Sequence, residues 1–314
     1  MNLFDNVNLD AKRLLEAQDA SLRAIGPSDR KRDHYGLLNA IAATIRRCWT
    51  GALVTTGLHR RLIYSNLKLD WFYEFQDYWM GVLGNRPIHP HDFYFLHGVY
   101  RQRIQENVLD YREEGTVSRG GEILRTWQDP RLVYYLFANQ YRLALQPFRA
   151  QRFMRYIPRG GKVCEYGCGI APIATSLVKY YPHWNLQITC ADIPHIMLHF
   201  TRWKFRSSPS VSTVVISQDD DTPLKEQYDA IFCLEVLEHL PRPIPVIRHL
   251  GASLKPGGHL IFDYVRSDGR GLNSVAGLRD RVDLLRYIVD RFQIEEGDIP
   301  LGGEHVGPTV VRKA

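Results

Sequence analysis

The spacing of hydrophobic residues changes about half-way along the chain. In the first part, apolar residues recur every three or four positions over 9–22, 35–47 and from 132 to about 156, which is the spacing of an amphipathic helix. In the second part, short apolar runs alternate with helical stretches, as in a parallel sheet with helices on both faces. The pattern therefore predicts a helical N-terminal region over 1–130 and an α/β domain over 131–314.

The second part contains five predicted buried strands separated by helices. The predicted strands are Lys162–Glu165, Gln187–Ala191, Ser212–Ser217, Asp229–Leu234 and His259–Val265. The predicted helices are Ile173–Tyr181, Ile196–Phe205, Ile244–Leu254 and Val275–Arg291. Gln293–Glu296 and Thr309–Lys313 are predicted to pair as a terminal antiparallel hairpin. The expected fold is thus a seven-stranded, mostly parallel α/β sheet with a helical N-terminal domain.

The charge of the chain is modest and spread out. Its 314 residues include 40 Lys and Arg against 34 Asp and Glu, a net charge of +6 without a dense basic run. This distribution disfavours nucleic acid as a partner and favours a small-molecule substrate. The five cysteines form no CxxC pair, and the first ten residues carry acids and no apolar run. We therefore expect a reduced, cytoplasmic protein without a membrane partner; a homodimer is compatible with the sequence.

The first predicted strand ends in a glycine-rich loop. Glu165-Tyr-Gly167-Cys-Gly169-Ile-Ala171 precedes a helix with Pro172 in its first turn. Two glycines allow a sharp turn and a close approach to a ligand. A dinucleotide fingerprint requires a small third residue where this chain has Pro172. Glu165 also disfavours a pyrophosphate but not a cationic ligand such as the sulfonium end of S-adenosylmethionine.

From about residue 156 to the end, the chain resembles class I S-adenosylmethionine-dependent methyltransferases. Four segments occur in the order of that family: VCEYGCGIA, TCADI, the SQDDDTPL loop and the YDAIFCLEVLEHL strand followed by LKPGG. The first is similar to the E-x-G-x-G-x-G signature, with Ala171 in place of the last glycine. The resemblance implies a Rossmann-like sheet whose glycine loop lies under the methionine part of the cofactor.

The resemblance also implies which residues contact S-adenosylmethionine. Asp192 stands 23 residues after Gly169, and an acid there can accept hydrogen bonds from both ribose hydroxyls. The loop after the third strand is expected to contact adenine, and which of its residues does so is left open. The expected cofactor contacts are Glu165, Gly167, Cys168, Gly169, Ala171, Asp192, Ile193, Gln218, Asp219, Asp220 and Leu234.

Candidate catalytic residues follow the fourth strand. Glu235, Glu238 and His239 share one face if they lie on a helical turn, at the end of the sheet where ligands bind. His239 is a candidate general base for a substrate hydroxyl or amine. A structural role for the segment is an open alternative. The E-x-x-E-H spacing also resembles small-RNA 2′-O-methyltransferases and ubiquinone-pathway O-methyltransferases, which implies a divalent metal and a further histidine. In the ubiquinone group that histidine stands where this chain has Arg242, and His305 is the candidate to replace it. That metal site is not favoured.

Two other groups of residues have candidate roles. His195 and His199 stand four positions apart beside Asp192, and they are expected to form a solvated helix face. His89, His91, His97 and the aromatic run Asp70–Trp79 lie in the N-terminal region. Trp71, Phe75 and Tyr78 are expected in the core, and the whole region is expected to cover the substrate pocket as a lid.

Together these features predict an S-adenosylmethionine-dependent methyltransferase. The expected acceptor is a small molecule, such as a sugar or a secondary metabolite, methylated on oxygen or nitrogen in a biosynthetic pathway. One alternative is a metal-dependent RNA 2′-O-methyltransferase. The other is a protein that binds S-adenosylmethionine without transferring its methyl group.

Overall fold

The computed structural model describes most of the second half of the chain and one N-terminal helix. The described residues are 70–84, 87, 136, 139, 140, 143, 148–217, 220–265, 274–302 and 305–314. Internal contacts divide the chain into two compact units, one of 9–96 and one of 1–8 with 97–314. The helices predicted over 9–22 and 35–47, and the N-terminal histidines His89, His91 and His97, lie outside the described residues. The domain boundary after residue 130 and the lid role stay predictions.

The described part of the smaller unit is helix α1, Asp70–Gly81. Phe75 and Tyr78 are fully buried, as their helical spacing predicts, and Phe72 and Trp79 are buried with them. The rings of Phe75 and Trp79 stack with centroids 5.9 Å apart. Tyr73, on the opposite side, is exposed. The aromatic run therefore builds a one-sided helix whose inner face belongs to a core.

The larger unit contains the predicted seven-stranded sheet. The strands are β1 (Lys162–Tyr166), β2 (Gln187–Asp192), β3 (Val211–Val215), β4 (Tyr228–Cys233), β5 (Leu254–Val265), β6 (Phe292–Glu296) and β7 (His305–Lys313). Their order is β3-β2-β1-β4-β5-β7-β6. Strands β1 to β5 are parallel, and β7 runs antiparallel to both β5 and β6. The chain order reverses between β1 and β4, which is where open α/β sheets bind ligands.

In the described part of the larger unit, five helices connect or cover these strands. They are α2 (Pro172–Tyr180), α3 (Ile196–Lys204), α4 (Pro243–Ala252), α5 (Val275–Arg279) and α6 (Arg281–Arg291). The single helix predicted over 275–291 is wrong, because the chain bends at Asp280. The two halves pack on different partners: α5 lies against the turn after β4, whereas α6 lies against α4.

Side chains from both faces of the sheet form the core. Along β4, Ala230 and Phe232 pack on one face and Ile231 and Cys233 on the other. Burial on both faces explains why these strands appear as continuous apolar runs in the sequence. None of the helices in the described ranges has the length and apolarity needed to cross a membrane.

A charged cluster joins the chain before β1 to the far edge of the sheet. Glu296 in β6 binds Arg152 at 2.5 Å, the Tyr156 hydroxyl at 2.8 Å and the Arg155 guanidinium, all three from a 3₁₀ turn. Burial opposes ionisation of this carboxyl, but the three hydrogen bonds outweigh it and lower the pKa of Glu296 to about 2. The cluster ties residues separated by 140 positions or more.

Replacing this carboxylate tests how much the cluster stabilises the domain. We expect Glu296→Gln to lower the free energy of unfolding by no more than about 1 kcal/mol at pH 7, since both arginines are more than half exposed. Because the folded-state pKa is depressed, the contribution is present at neutral pH and is lost as pH falls below about 4.5 toward 2. Urea unfolding at several pH values measures both effects. Asp283→Asn, which removes an exposed pair with Arg286, is the matched control; equal losses for the two variants would contradict the expectation.

Candidate functional site

The glycine loop between β1 and α2 adopts a left-handed backbone at three alternate positions. Gly167 has φ of 69°, Gly169 of 53° and Ala171 of 54°. Glycine adopts this region freely, whereas a residue with a Cβ is strained there by roughly 1–2 kcal/mol. Ala171 is the N-cap of α2, and its conformation explains why this position of the signature is otherwise a glycine.

The loop uses its own amide donors to hold this shape. The N–H groups of Gly167 and Cys168 donate to a carbonyl of β2 at 2.8 and 3.2 Å. The N–H of Gly169 donates to the Asp192 carboxylate at 2.6 Å, and that of Ala171 donates to the carbonyl of Cys168 at 2.7 Å. Loops that bind phosphate need such donors directed at the ligand. In this chain they are directed into the protein.

Glu165 occupies the place that an anion would take at the start of α2. Its two carboxylate oxygens accept the N–H groups of Ile173 at 3.0 Å and Ala174 at 2.9 Å. Pro172, before them, has no N–H to offer. The side chain is buried, and burial raises the pKa of Glu165 to about 7 despite these two hydrogen bonds. A pyrophosphate is therefore excluded from the helix N-terminus, and a cationic ligand is not.

Helix α3 supports the loop from the side. The Thr201 hydroxyl donates to the carbonyl of Gly169 at 2.7 Å. The Lys204 ammonium donates to the Thr175 hydroxyl on α2 at 2.6 Å. The backbone of the loop is thus held by β2, by α2 and by α3.

Asp192 closes β2 beside the loop. One carboxylate oxygen accepts the Gly169 N–H, and the other accepts the N–H of Ile193 at 2.8 Å. Each oxygen has two lone pairs, so both retain the capacity to accept a ribose hydroxyl. The side chain is buried except for a small exposed part. This geometry fits the predicted ribose contact, which stays a prediction.

The predicted adenine loop is described in part. Gln218 and Asp219 lie outside the described residues. Asp220 closes a turn, because one oxygen accepts the Thr222 N–H at 2.8 Å while the other lies 3.7 Å from the Lys225 ammonium. The Thr222 hydrogen bond, with Lys225, lowers the pKa of Asp220. This structural use of the carboxylate adds no support for an adenine contact by Asp220.

The turn after β4 does not have the predicted shape. Glu235 has φ of 57° and lies outside the 3₁₀ turn Leu237–His239 that follows it. Glu235 is exposed, Glu238 is buried and His239 is 22% exposed, so the three do not share one helical face. The prediction of a common face is therefore wrong. Leu234, just before, is half-buried and packs on the core under the loop.

The geometry does not support a metal site formed by Glu235, Glu238, His239 and His305 either. His305 is the first residue of β7 and pairs with β5, rather than lying in a loop. Within the described ranges, no three His, Cys, Asp or Glu side chains are grouped as a metal site requires. Glu238 and His239 are near one another, with an N–O distance of 3.8 Å.

Two residues that shape this turn escape recognition in the sequence. Asp263 in β5 accepts the Glu235 N–H at 2.6 Å, and burial raises the pKa of Asp263 to about 6. Ser274 donates its N–H to the carbonyl of Glu238 at 2.8 Å and its hydroxyl to that of Leu240 at 2.5 Å. The only local signal is an acid within the apolar run HLIFDYV. A serine before a helix gives no sign of a distant partner.

The histidines beside Asp192 also differ from expectation. His195 and His199 are 3% and 5% exposed, so the predicted solvated helix face is wrong. His195 caps α3 by accepting the Leu198 N–H at 3.0 Å. Burial, with the nearby Arg202, lowers the pKa of His199 to about 4, and this imidazole is therefore neutral at pH 7. Both histidines are buried because other parts of the fold pack over α3.

Replacing one carboxyl oxygen of Glu165 by an amide nitrogen tests the anion-site argument. We expect Glu165→Gln to lose roughly 1–3 kcal/mol of stability at pH 5, because its amide N–H₂ faces a backbone N–H that then lacks an acceptor. The raised folded-state pKa makes wild-type stability from this group fully present below pH 4.5 and lost as pH rises through about 7. The difference between wild type and variant should therefore shrink over that range, as urea unfolding measures. The exposed Glu226→Gln is the control, and parallel pH curves for wild type and Glu165→Gln would refute the assignment.

Two alanine substitutions separate strain from steric fit in the loop. A Cβ at residue 167 would lie 2.2 Å from the Cγ2 of Val236, whereas one at residue 169 has its nearest neighbour at 3.9 Å. Both have left-handed φ, so we expect Gly167→Ala to cost roughly 1–3 kcal/mol more than Gly169→Ala. Chemical denaturation without ligand measures this difference. Val236→Ala should recover part of the loss only in the Gly167→Ala background; an equal effect in both backgrounds would count against the contact.

Comparison with known proteins agrees with this site. A family model described as a methyltransferase domain matches residues 137–294. The ubiquinone biosynthesis O-methyltransferase of Vibrio vulnificus (strain YJ016) is 33% identical over 105 residues, covering 33% of this chain and 43% of the relative. That of Pseudomonas savastanoi pv. phaseolicola is 30% identical over 129 residues, covering 40% of this chain and 54% of the relative. The chain thus spans about half the length of these curated relatives.

Solved structures show more distant likeness. The pyocyanin biosynthetic protein PhzM is 15% identical with a TM-score of 0.46, over 71% of this chain and 72% of that one. The N-methyltransferase NodS from Bradyrhizobium japonicum WM9, in complex with S-adenosylhomocysteine, is 18% identical with a TM-score of 0.38, over 55% of this chain and 91% of that one. The family match rests on the sequence model, which covers half of the chain. With its glycine loop and the Glu165 cap in place, the chain belongs to the methyltransferase-domain family.

Proposed function

We propose that this enzyme methylates a hydroxyl group of a small molecule in a biosynthetic pathway. The printed names of the curated relatives, ubiquinone biosynthesis O-methyltransferases, support transfer to oxygen. The dispersed charge of the chain supports a small acceptor over a nucleic acid. The acceptor would bind where β4 and β5 end, beside the cofactor loop.

The observation that carries this proposal is the contact between the glycine loop and the turn after β4. Gly167 approaches Val236 so closely that a Cβ could not be accommodated. The loop that holds the methionine part of the cofactor is therefore in direct contact with the segment that follows β4. Glu235 and the partly exposed His239 lie on either side of Val236 in the chain, which supports a role for their polar side chains in the reaction.

The residues of this turn have distinct proposed roles. S-adenosylmethionine supplies a methyl group already activated by its sulfonium, so alignment of the acceptor supplies most of the rate. His239 is proposed to accept the proton of the acceptor hydroxyl as the oxygen is methylated. The buried Glu238 carboxylate, 3.8 Å from the His239 Nε2, favours the protonated imidazole that results. Exposed Glu235 is proposed to contact the acceptor rather than to take its proton.

A metal requirement is not part of the proposal. Glu238 is buried while Glu235 is exposed and outside the turn, so the two carboxylates do not converge on one point. The reaction should therefore proceed unchanged in EDTA. Loss of activity in EDTA with recovery in Mg²⁺ or Mn²⁺ would instead favour the metal-dependent alternative.

Activity assays with His239→Gln test the function. The purified enzyme is incubated with S-adenosylmethionine and a panel of phenols, catechols, sugars and amines, and S-adenosylhomocysteine is quantified. We expect turnover with a hydroxyl acceptor, and a loss of about 10²–10⁴-fold in kcat for His239→Gln because the proton acceptor is removed. The exposed His183→Gln, in the 3₁₀ turn Pro182–Trp184, is the matched control and should retain full activity.

The outcomes separate the parts of the proposal. Turnover only with amines would move the reaction to nitrogen. Full activity of His239→Gln would reject His239 as the proton acceptor while leaving methyl transfer itself in place. Binding of S-adenosylmethionine without turnover on any acceptor of the panel would contradict the proposed small-molecule reaction.

A further inference from the structure

His195 makes two polar contacts at the end of β2, and each involves a different ring nitrogen. Its Nδ1 accepts the N–H of Leu198 at 3.0 Å, which caps α3. Its Nε2 lies 3.4 Å from the Oδ1 of Asp192. The imidazole is 3% exposed, so water does not compete for either nitrogen.

These contacts determine the tautomer of the ring. Because Nδ1 accepts a backbone N–H, the proton of the neutral imidazole is on Nε2. That nitrogen is the one beside the Asp192 carboxylate. Asp192 thus accepts the Gly169 N–H on one oxygen and the Ile193 N–H on the other, and the His195 ring lies 3.4 Å from the second oxygen.

We propose that His195 is a positioning residue for the cofactor, which holds the Asp192 carboxylate in the orientation that receives the ribose hydroxyls. This inference rests on the ribose role of Asp192 and not on the identity of the acceptor. A hydrogen-bonded carboxylate loses less freedom when the ligand binds, so the imidazole would raise affinity without touching the cofactor.

The choice of histidine at this N-cap supports the inference. Serine and asparagine are the preferred N-caps, and either would satisfy the Leu198 N–H. Both are shorter than histidine and lack a donor where Nε2 lies. The cap function alone would therefore not require a histidine, whereas the contact with Asp192 does. The two functions can accordingly be separated by mutation.

The experiment measures the binding of S-adenosylhomocysteine to the full chain by calorimetry. We expect His195→Asn and His195→Ser to raise the Kd about three- to tenfold, the scale of one hydrogen bond, with little change in Tm because the cap is retained. The 2′,3′-dideoxy analogue of the same ligand provides the second measurement. Its Kd should change less than twofold in both variants, because it lacks the hydroxyls that Asp192 would receive.

Further variants distinguish the possible failures. Asp192→Ala should weaken S-adenosylhomocysteine binding at least about fivefold, and His183→Asn should leave it unchanged. If Asp192→Ala has its effect and the His195 variants do not, the positioning role is overturned while the ribose contact stands. If the His195 variants weaken both ligands equally, or lower Tm in proportion, the residue is only a cap. No effect of Asp192→Ala would overturn the ribose contact and the inference with it.

Nitrogen NMR of the imidazole tests the tautomer on which the proposed contact with Asp192 depends. Selectively ¹⁵N-labelled histidine should show the Nε2–H tautomer for His195 at neutral pH, assigned by its loss in His195→Asn. A resonance of the Nδ1–H tautomer would overturn the proposed contact, because that proton would face the Leu198 N–H.

Discussion

The cofactor site depends on the hydrogen bonds that the N–H groups of Ile173 and Ala174, in the first turn of α2, donate to the Glu165 side chain. They fill the helix N-terminus with a carboxylate that belongs to the protein, beneath a loop whose N–H groups are also used internally. A site built in this way directs these donors away from a pyrophosphate, and it is compatible with the cationic sulfonium cofactor of the proposed function. The strained backbone of Ala171 is tolerated because β2, α2 and α3 hold the loop around it.

The second half of the site is held by contacts that come from β5 and α5. Asp263 accepts a hydrogen bond from the N–H of Glu235. Ser274 donates to the carbonyl of Glu238 in the 3₁₀ turn and to that of Leu240 just after it. Gly277 packs so closely on the backbone of Glu238 that no Cβ would fit. The shape of the turn therefore depends on contacts from β5 and α5 and not on its own sequence alone. This explains why its polar residues point in different directions, although their sequence spacing suggests a common face.

The glycine loop of the proposed cofactor site and the turn after β4, beside which the acceptor is proposed to bind, meet at Gly167 and Val236. A glycine is required there for two reasons, a left-handed φ and the lack of space for a Cβ. This contact fixes the glycine loop against the turn that follows β4. At the other side of the loop, the buried His195 imidazole is proposed to orient the Asp192 carboxylate for its proposed contact with the ribose.

The sequence by itself determined the order of strands and helices, the glycine loop and the acid that ends β2, because periodicity and loop chemistry are local. Only the tertiary structure decided the direction of Glu235, the burial of His195 and His199, and the bend at Asp280. The physical reason is distance along the chain. Asp263 lies 28 residues from the amide that it binds, and Ser274 lies 34 residues from the Leu240 carbonyl that its hydroxyl holds. Such partners leave no periodic signal, and they act only once the sheet has brought its strand ends together.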